Sequence, residues 1–294
     1  MEGILGQLYA GISLGSVLLL IALGLTLTFG QMGVINMAHG EFLMAGAYTA
    51  YVVQQIFDDA GLSLLVALPL SFLVGGAMGV VLEATLIRRL YHRPLDTLLV
   101  TWGVSLMLQQ LARDIFGAPA VEVRAPGWLQ GNVNVLGAPF TTARLFIVAL
   151  AVVSVTALSL VLRFTSLGRR IRAVVQSRPL AETSGINSRA TDRITFFIGS
   201  GLAGLAGVGL SLIGSTQPYM GTTYIVDAFL VVVAGGVGQV RGAVIAAFFL
   251  GILQAVFAYS QSVSTAKVLL LVVVIAFLQV RPQGLFKVRT RSLA

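Results

Sequence analysis

Long apolar runs alternate with short polar segments along nearly the whole of this 294-residue chain. A helix needs about 20 mostly apolar residues to cross a bilayer. The pattern predicts an all-α, polytopic membrane protein with about nine membrane crossings, within a range of 8–10 helices, in a single transmembrane domain over residues 1–294. The apolar runs are 5–29, 38–57, 62–87, 95–115, 144–163, 194–214, 226–238, 243–258 and 267–280.

Composition agrees with a membrane protein. The chain is 57% hydrophobic and 10% charged, whereas about a quarter of the residues in a soluble domain are charged. Its net charge of +8 could indicate nucleic-acid binding. Membrane proteins, however, concentrate Lys and Arg in their cytoplasmic loops, so no nucleic-acid partner is expected.

The basic residues also predict the orientation. Most of the 19 Lys and Arg residues fall in three groups, and nine crossings place all three groups on one side, which the positive-inside rule makes cytoplasmic. The N-terminus is then outside and the C-terminus inside, with 116–143 an extracytoplasmic loop and 164–193 a cytoplasmic loop. The groups are Arg88, Arg89 and Arg93; Arg163, Arg169, Arg170, Arg172, Arg178, Arg189 and Arg193; and Arg281, Lys287, Arg289 and Arg291.

Both loops contain signals of local structure. In the outer loop, "VEVR" (121–124) and "NVNV" (132–135) alternate apolar and polar residues on either side of "APGWLQG", which predicts a short β-hairpin. In the inner loop, Pro179 suits the first turn of a helix and Gly185 its end. The segment "RPLAETSGI" therefore predicts a short helix presented to the cytoplasm.

Two stretches interrupt the apolar pattern, "LTFGQMGVINMAHGEF" (27–42) and "VVVAGGVGQVRGAVI" (231–245). Interrupted hydrophobic segments in both halves of a transporter point to its substrate path. Gly33 weakens the first helix, Asn36 can cap the next one, and Glu41 suits its first turn, where the helix dipole favours an anion. We therefore predict broken or re-entrant helices at these stretches.

Polar side chains near the first break are candidates for a path lining. Polar groups at membrane depth are costly and face a protein interior or a wet cavity. Path lining is favoured for the set as a whole, whereas for Asn36 alone a structural role in the broken helix is preferred. The candidate path residues are Asn36, His39, Glu41, Ala45, Tyr48, Thr49 and Trp102.

Enzymatic motifs give no competing interpretation. The sequence has no GxxxxGK[ST] loop for ATP and no convincing spacing of metal ligands, so no cofactor is expected on this chain. The "GSG" at 199–201 is similar to an intramembrane serine-protease motif, but that chemistry needs a later histidine as base, and His39 and His92 both precede it. Small residues at every fourth position around Gly199 instead predict close helix packing.

Several segments closely resemble permease subunits of the branched-chain amino-acid family of bacterial ABC importers. They are "GLTLTFGQMGVINMAHGEFLMAGAY" (24–48), "LGRRIRAVVQSRPLAETSGI" (167–186), "TFFIGSGLAGLAG" (195–207) and "AGGVGQVRGAVIAAFFLGILQ" (234–254). Within that family, "AHGEFLMAGAYTAYVVQ" (38–54) and "RPLDTLLVTWGVSLMLQQLARDIFGAPAVEV" (93–123) are most similar to the urea-type permease.

The resemblance implies a transporter subunit of the bacterial inner membrane rather than an enzyme. Its partners would be a second, related permease subunit, two cytoplasmic ATPases that use the ATP, and a periplasmic binding protein that the outer hairpin helps to dock. A coupling helix would lie in a groove of an ATPase. Its residues are Pro179, Leu180, Ala181, Glu182, Thr183, Ser184, Gly185 and Ile186.

The substrate is inferred from charge. The carboxylate of an α-amino acid would need a cation or several free N–H groups in the path, and no Lys or Arg is evident deep in an apolar run. Urea is small, planar and neutral, so urea is expected, with branched-chain or other neutral amino acids as the alternative. A passive channel for small neutral solutes is a weaker alternative, since it would not need an exposed basic loop with a capped helix.

Overall fold

The computed structural model describes residues 2–91, 93–135 and 138–286. His92 and the basic residues Lys287, Arg289 and Arg291 lie outside the described residues. The described part contains eleven α-helices and one β-hairpin. These elements are α1 (Glu2–Met32), α2 (His39–Ile56), α3 (Ala60–Thr85), α4 (Pro94–Phe116), β1 (Asn132–Val135), β2 (Ala138–Thr141), α5 (Thr142–Phe164), α6 (Ser166–Gln176), α7 (Arg178–Thr183), α8 (Ser188–Ser211), α9 (Met220–Gly235), α10 (Val240–Ser260) and α11 (Val263–Val280).

The long helices coincide with the nine apolar runs, which confirms an all-α, polytopic membrane protein. Among the described residues, 6 helices are long and apolar enough to cross a membrane: α1, α3, α5, α8, α10 and α11. Helix α9 is apolar but shorter, at 16 residues. Helices α2 and α4 contain more polar residues, and those residues form the site described below.

Helix α8 lies at the centre of the bundle, where it packs against α1, α2 and α3. Small residues make this possible, because a Cβ atom on Gly199 would meet the carbonyl oxygen of Gly24 on α1. In the same way, Gly204 packs on Ser71 of α3, and Gly207 packs on α2. The small residues of α8 therefore serve close packing, as the sequence predicts.

The outer hairpin forms with a different second strand from the predicted one. Strand β1 is the "NVNV" segment, but it pairs antiparallel with β2, so that Asn132 lies opposite Thr141 and Val133 opposite Phe140. The prediction that "VEVR" (121–124) is the partner strand is wrong.

The side chain of Gln54, on α2, explains this difference. Its Nε2 donates to the carbonyl oxygen of Glu122 at 2.8 Å, and its Oε1 accepts from the backbone N–H of Arg124 at 2.8 Å. Val121 exchanges two further backbone hydrogen bonds with Thr216. The backbone of 121–124 thus has partners elsewhere in the bundle and needs no neighbouring strand.

The predicted short helix of the inner loop is confirmed as α7. The Ser177 side chain accepts from the N–H of Leu180 at its start, and Pro179 lies in its first turn. Beyond its end, Gly185 adopts a φ of 81°, a conformation that favours glycine. The structure adds a second helix to this loop, α6, for which the sequence analysis made no prediction.

The orientation of the bundle remains a prediction that cysteine labelling tests. The chain has no cysteine of its own, so single substitutions at exposed positions can be labelled selectively in intact cells. We expect Asp58→Cys and Asn132→Cys to react with an impermeant thiol reagent, and Arg170→Cys to react only after permeabilisation. Ready labelling of Arg170→Cys in sealed cells would show that the predicted orientation is inverted.

Candidate functional site

The first predicted break runs from the end of α1 into the middle of the bundle. Helix α1 ends at Met32, and Gly33 follows with a φ of 65°, which lets the chain turn back on itself. Helix α2 then begins at His39, whose Nε2 donates to the carbonyl oxygen of Ile21 at 3.2 Å. Ile21 lies about three turns, or about 16 Å of helix rise, before the end of α1. The linker 33–38 thus returns along α1, and α2 begins at the level of the middle of the bundle.

Polar side chains satisfy the backbone of this linker. The Thr101 hydroxyl oxygen, on α4, accepts from the N–H of Met37 at 3.0 Å. The Asn36 Oδ1 accepts from the N–H of Ala38 at 3.0 Å, immediately before α2. Asn36 therefore stabilises the linker, as was preferred for it alone. The prediction that it caps α2 is wrong, because the N-cap residue is Ala38 and no side-chain cap hydrogen bond forms among the described residues. Its place in a substrate path remains a prediction.

Glu41 lies in the first turn of α2 and is fully buried. Its Oε1 accepts from the Ser105 hydroxyl at 2.7 Å and from the Gln109 Nε2 at 2.8 Å, both on α4. Its Oε2 has no hydrogen-bond partner among the described residues. The carboxyl group thus has one satisfied oxygen and one oxygen available to a further donor.

The sequence analysis missed the α4 residues that surround the break. Thr97, Thr101, Ser105 and Gln109 recur at every fourth position and so share one face of α4. This face meets the linker and Glu41. The spacing of four was visible in the apolar run 95–115, but only the fold shows which segment the polar face contacts.

The other predicted path residues lie away from the break, in a cavity beside α2 or on the surface of α4. Ala45, Tyr48 and Thr49 line a cavity of about 340 Å³ between α2, α3 and α4, whose other walls are apolar. The Tyr48 ring stacks on Phe116 with ring centroids 4.1 Å apart. Trp102 lies apart from both groups, with 52% of its surface exposed. The structure thus groups Asn36, His39 and Glu41 at the break, and their function in a path remains a prediction.

The second interrupted stretch meets the first. Between α9 and α10, Gly238 packs directly on Gly30 in the last turns of α1. A cavity of about 700 Å³ adjoins this contact, and Gln31, Arg172 and Gln239 are among its polar lining residues. Both breaks therefore lie close to the same end of α1.

The short helix α7 presents an apolar side chain and is tied to the bundle by charge. Leu180 is 62% exposed, whereas its neighbour Ala181 is buried against the protein. The Arg178 guanidinium donates to the Asp192 Oδ2 at 2.8 Å, and Asp192, on α8, is fully buried. The Ser188 hydroxyl donates to the Glu182 carboxylate. This helix is therefore held in place while Leu180 points away from the bundle.

Asp192 also joins α7 to the end of α1. Its Oδ1 accepts from the Gln31 Nε2 at 2.7 Å, and the Gln31 Oε1 accepts from the Thr195 hydroxyl at 2.6 Å. Gln31 lies in the last turn of α1, directly before the break. Neither Gln31 nor Asp192 was predicted as a functional residue, although an acid close to an apolar run is an informative signal.

Tyr91, in the connection between α3 and α4, completes this network. The Arg178 guanidinium lies over its ring, 5.2 Å from the centroid, and its hydroxyl donates to Glu83 at 3.0 Å. Burial, together with the charges of Asp192 and Glu83, raises the pKa of the Tyr91 hydroxyl. It therefore remains a hydrogen-bond donor at neutral pH.

We expect Asp192→Asn to destabilise the protein, because Arg178 loses its anion and the Gln31 contact weakens. Removing one partner of a buried pair costs about 3–5 kcal/mol, and the partial exposure of Arg178 reduces this to about 1–3 kcal/mol. Thermal unfolding of the purified protein measures the loss. Arg189→Gln, an exposed change at the start of the same helix, is the control. Equal unfolding temperatures for both variants and the unchanged protein would contradict this expectation.

Comparison with known proteins shows that the chain matches a known family. Residues 7–278 match the family described as branched-chain amino acid transport system / permease component. The high-affinity branched-chain amino acid transport system permease protein LivH of Escherichia coli K12 is 31% identical over 298 residues, which cover 96% of this chain and 94% of LivH.

Two further relatives extend the comparison. The branched-chain amino acid permease protein BraD of Pseudomonas aeruginosa is 31% identical over 267 residues, covering 85% of each chain. The ribose import permease protein RbsC of Escherichia coli K12 is 30% identical over 279 residues, covering 88% of this chain and 82% of RbsC. No solved structure matches the chain significantly. The relatives named here are transport permeases, as was expected of this chain, and not enzymes.

Proposed function

Because this chain belongs to the family of branched-chain amino acid transport permeases, we propose that it is the membrane subunit of an ATP-driven importer of branched-chain or other neutral amino acids. Its partners in this proposal are a second, related permease subunit, two cytoplasmic ATPases and a periplasmic binding protein. Its location is the bacterial inner membrane, with the lipid bilayer around its apolar helices.

The position of α7 is the observation that supports an ATP-driven mechanism. An exposed leucine on a short capped helix suits a groove in a partner protein. The ion pair between Arg178 and buried Asp192 holds this helix against the bundle. A passive channel would need neither feature. The segment from Pro179 to Ile186 is therefore our candidate for the contact with an ATPase.

The amino-acid alternative replaces urea as the proposed substrate. The relatives named above transport branched-chain amino acids or ribose, according to their names, so they give urea no support. The path itself is proposed to run beside the first break. There the Asn36 Nδ2 and the Glu41 Oε2 are buried and have no partners among the described residues.

Substrate-stimulated ATP hydrolysis tests this function. In the complete complex, reconstituted in lipid vesicles, we expect the binding protein loaded with leucine or isoleucine to stimulate hydrolysis and uptake, and urea to have no effect. Leu180→Asp should abolish the stimulation without preventing insertion, because it places a charge in the proposed apolar contact. Arg189→Gln, an exposed change on the same loop, is its control. Stimulation by urea alone would overturn the proposed substrate, and normal stimulation of Leu180→Asp would overturn the proposed contact.

A second prediction concerns Glu41. Glu41→Gln keeps the Oε1 acceptor for Ser105 and Gln109 but removes the charge, so the complex should assemble and transport severalfold more slowly if Glu41 contacts the substrate. Glu41→Leu leaves both donors unsatisfied, at about 1–3 kcal/mol each, so it should also lower assembly. Ser105→Ala, which removes one donor to Glu41, is the matched structural control. The measurement is uptake per assembled complex, and an unchanged rate for Glu41→Gln would exclude Glu41 from the path.

A further inference from the structure

A separate cavity of about 530 Å³ lies at the opposite end of the bundle from α7. Its walls come from the first parts of α1, α5, α9 and α11 and from the last parts of α8 and α10. All these helix ends are extracytoplasmic in the predicted orientation. The volume falls within the range of about 300–1,000 Å³ that is typical of small-molecule sites.

An ion pair lines this cavity. Asp227, about two turns or about 10 Å inside α9, is 5% exposed. The Lys267 Nζ, on α11, lies 2.9 Å from the Asp227 Oδ2 and also donates to the carbonyl oxygen of Thr223 at 3.0 Å. Ionisable groups inside an apolar bundle are costly and usually functional. The pair is therefore a candidate binding element that the sequence analysis did not identify.

Two further polar side chains in the cavity have free bonding capacity. Arg144, at the start of α5, is half-buried and has no hydrogen-bond or ion-pair partner among the described residues. Gln254, on α10, is 5% exposed, and its Oε1 has no partner among the described residues. Arg144 and Lys267 carry two positive charges and Asp227 carries one negative charge, so the three side chains have a net charge of one positive unit. The cavity thus offers a surplus cation, an anion and an unsatisfied amide.

The rest of the wall is apolar. Leu14 and Val17 contribute from α1, Leu210 contributes from α8, and Ile213 contributes from the turn after α8. Val17 and Leu210 are buried in the main hydrophobic core, so this part of the wall is fixed by packing. An aliphatic group placed here would lose water contact on several sides, which favours binding.

We propose that this cavity binds a free aliphatic α-amino acid as its zwitterion. The carboxylate lies toward Arg144, the ammonium group toward Asp227, and the side chain against Leu14, Val17, Leu210 and Ile213. This inference rests on the proposed function, since it names the residues that would receive the transported amino acid. Urea has no charge to match Arg144 or Asp227 and no aliphatic part to cover the apolar wall.

The test compares ligands that lack one charge each. Leucinol lacks the carboxylate of leucine, and 4-methylpentanoate lacks its ammonium group. Binding of labelled leucine to the complete transporter in nanodiscs, without the binding protein, is measured in competition with each compound. We expect Arg144→Gln to weaken leucine binding at least about tenfold, as expected for a lost hydrogen bond to a charged group, and to leave competition by leucinol unchanged. We expect Arg144→Gln to fold, because it breaks no hydrogen bond or ion pair among the described residues.

A double variant tests the other half of the site. Asp227→Asn with Lys267→Gln removes both charges and leaves no unpaired ion. It should weaken leucine binding while competition by 4-methylpentanoate is retained. Arg124→Gln, a charge change on the exposed outer loop, is the matched control and should have no effect. Unchanged leucine binding in Arg144→Gln, or equal losses for leucine and leucinol, would overturn the proposal.

A lipid headgroup with a phosphate and an ammonium group has similar chemistry. Comparing nanodiscs with and without phosphatidylethanolamine distinguishes a bound lipid headgroup from a bound amino acid. If wild-type binding of leucine is absent and the variants change only the retention of phosphatidylethanolamine, the proposal is overturned in favour of lipid. The proposed function fails separately, if the leucine-loaded binding protein does not stimulate ATP hydrolysis by the unchanged complex.

Discussion

Backbone groups that leave a helix inside a membrane protein need hydrogen-bond partners other than water, and the arrangement of α1, α2 and α4 depends on this constraint. The linker 33–38 runs at the depth of the bundle, where Thr101 accepts from Met37 and Asn36 accepts from Ala38. Helix α4 is otherwise largely exposed and apolar on its surface. Its polar face therefore explains both how the break is tolerated and why α4 lies against α2.

The same break connects the two ends of the proposed mechanism. Gln31 is in the last turn of α1, two residues before Gly33, and is bonded to Asp192. Asp192 in turn holds Arg178 at the start of α7. A displacement of α7 by a partner protein would thus act on buried groups at the base of the break and not only on an exposed loop. Chains of hydrogen bonds and ion pairs of this kind are one physical means by which distant sites are coupled.

Local signals predicted most of the fold, and long-range contacts account for what was missed. The nine apolar runs and the Pro179–Gly185 signals depend on nearby residues, and the structure confirms the corresponding helices. The partner of β1 was mispredicted because the Gln54 side chain satisfies the backbone of 121–124. The ion pair between Lys267 and Asp227 was not predicted, since nothing in the segment around Lys267 reveals its contact with an acid forty residues earlier.

The cavity beside Lys267 and the region of the first break differ in charge. This difference limits how well the chain alone can stabilise a zwitterion along a path that joins them. The cavity has two cations, Arg144 and Lys267, and one anion, Asp227. The hydrogen-bond donors to Glu41 at the break, in contrast, are neutral. A zwitterion that moves from the first region to the second loses the partner of its carboxylate. Removing a charge from its partner at membrane depth is costly. The Asn36 Nδ2 at the break has no partner among the described residues and is available to donate to the carboxylate, but it is neutral. We therefore expect further donors to come from a second permease subunit facing α2 and α4, if the path lies between the two subunits.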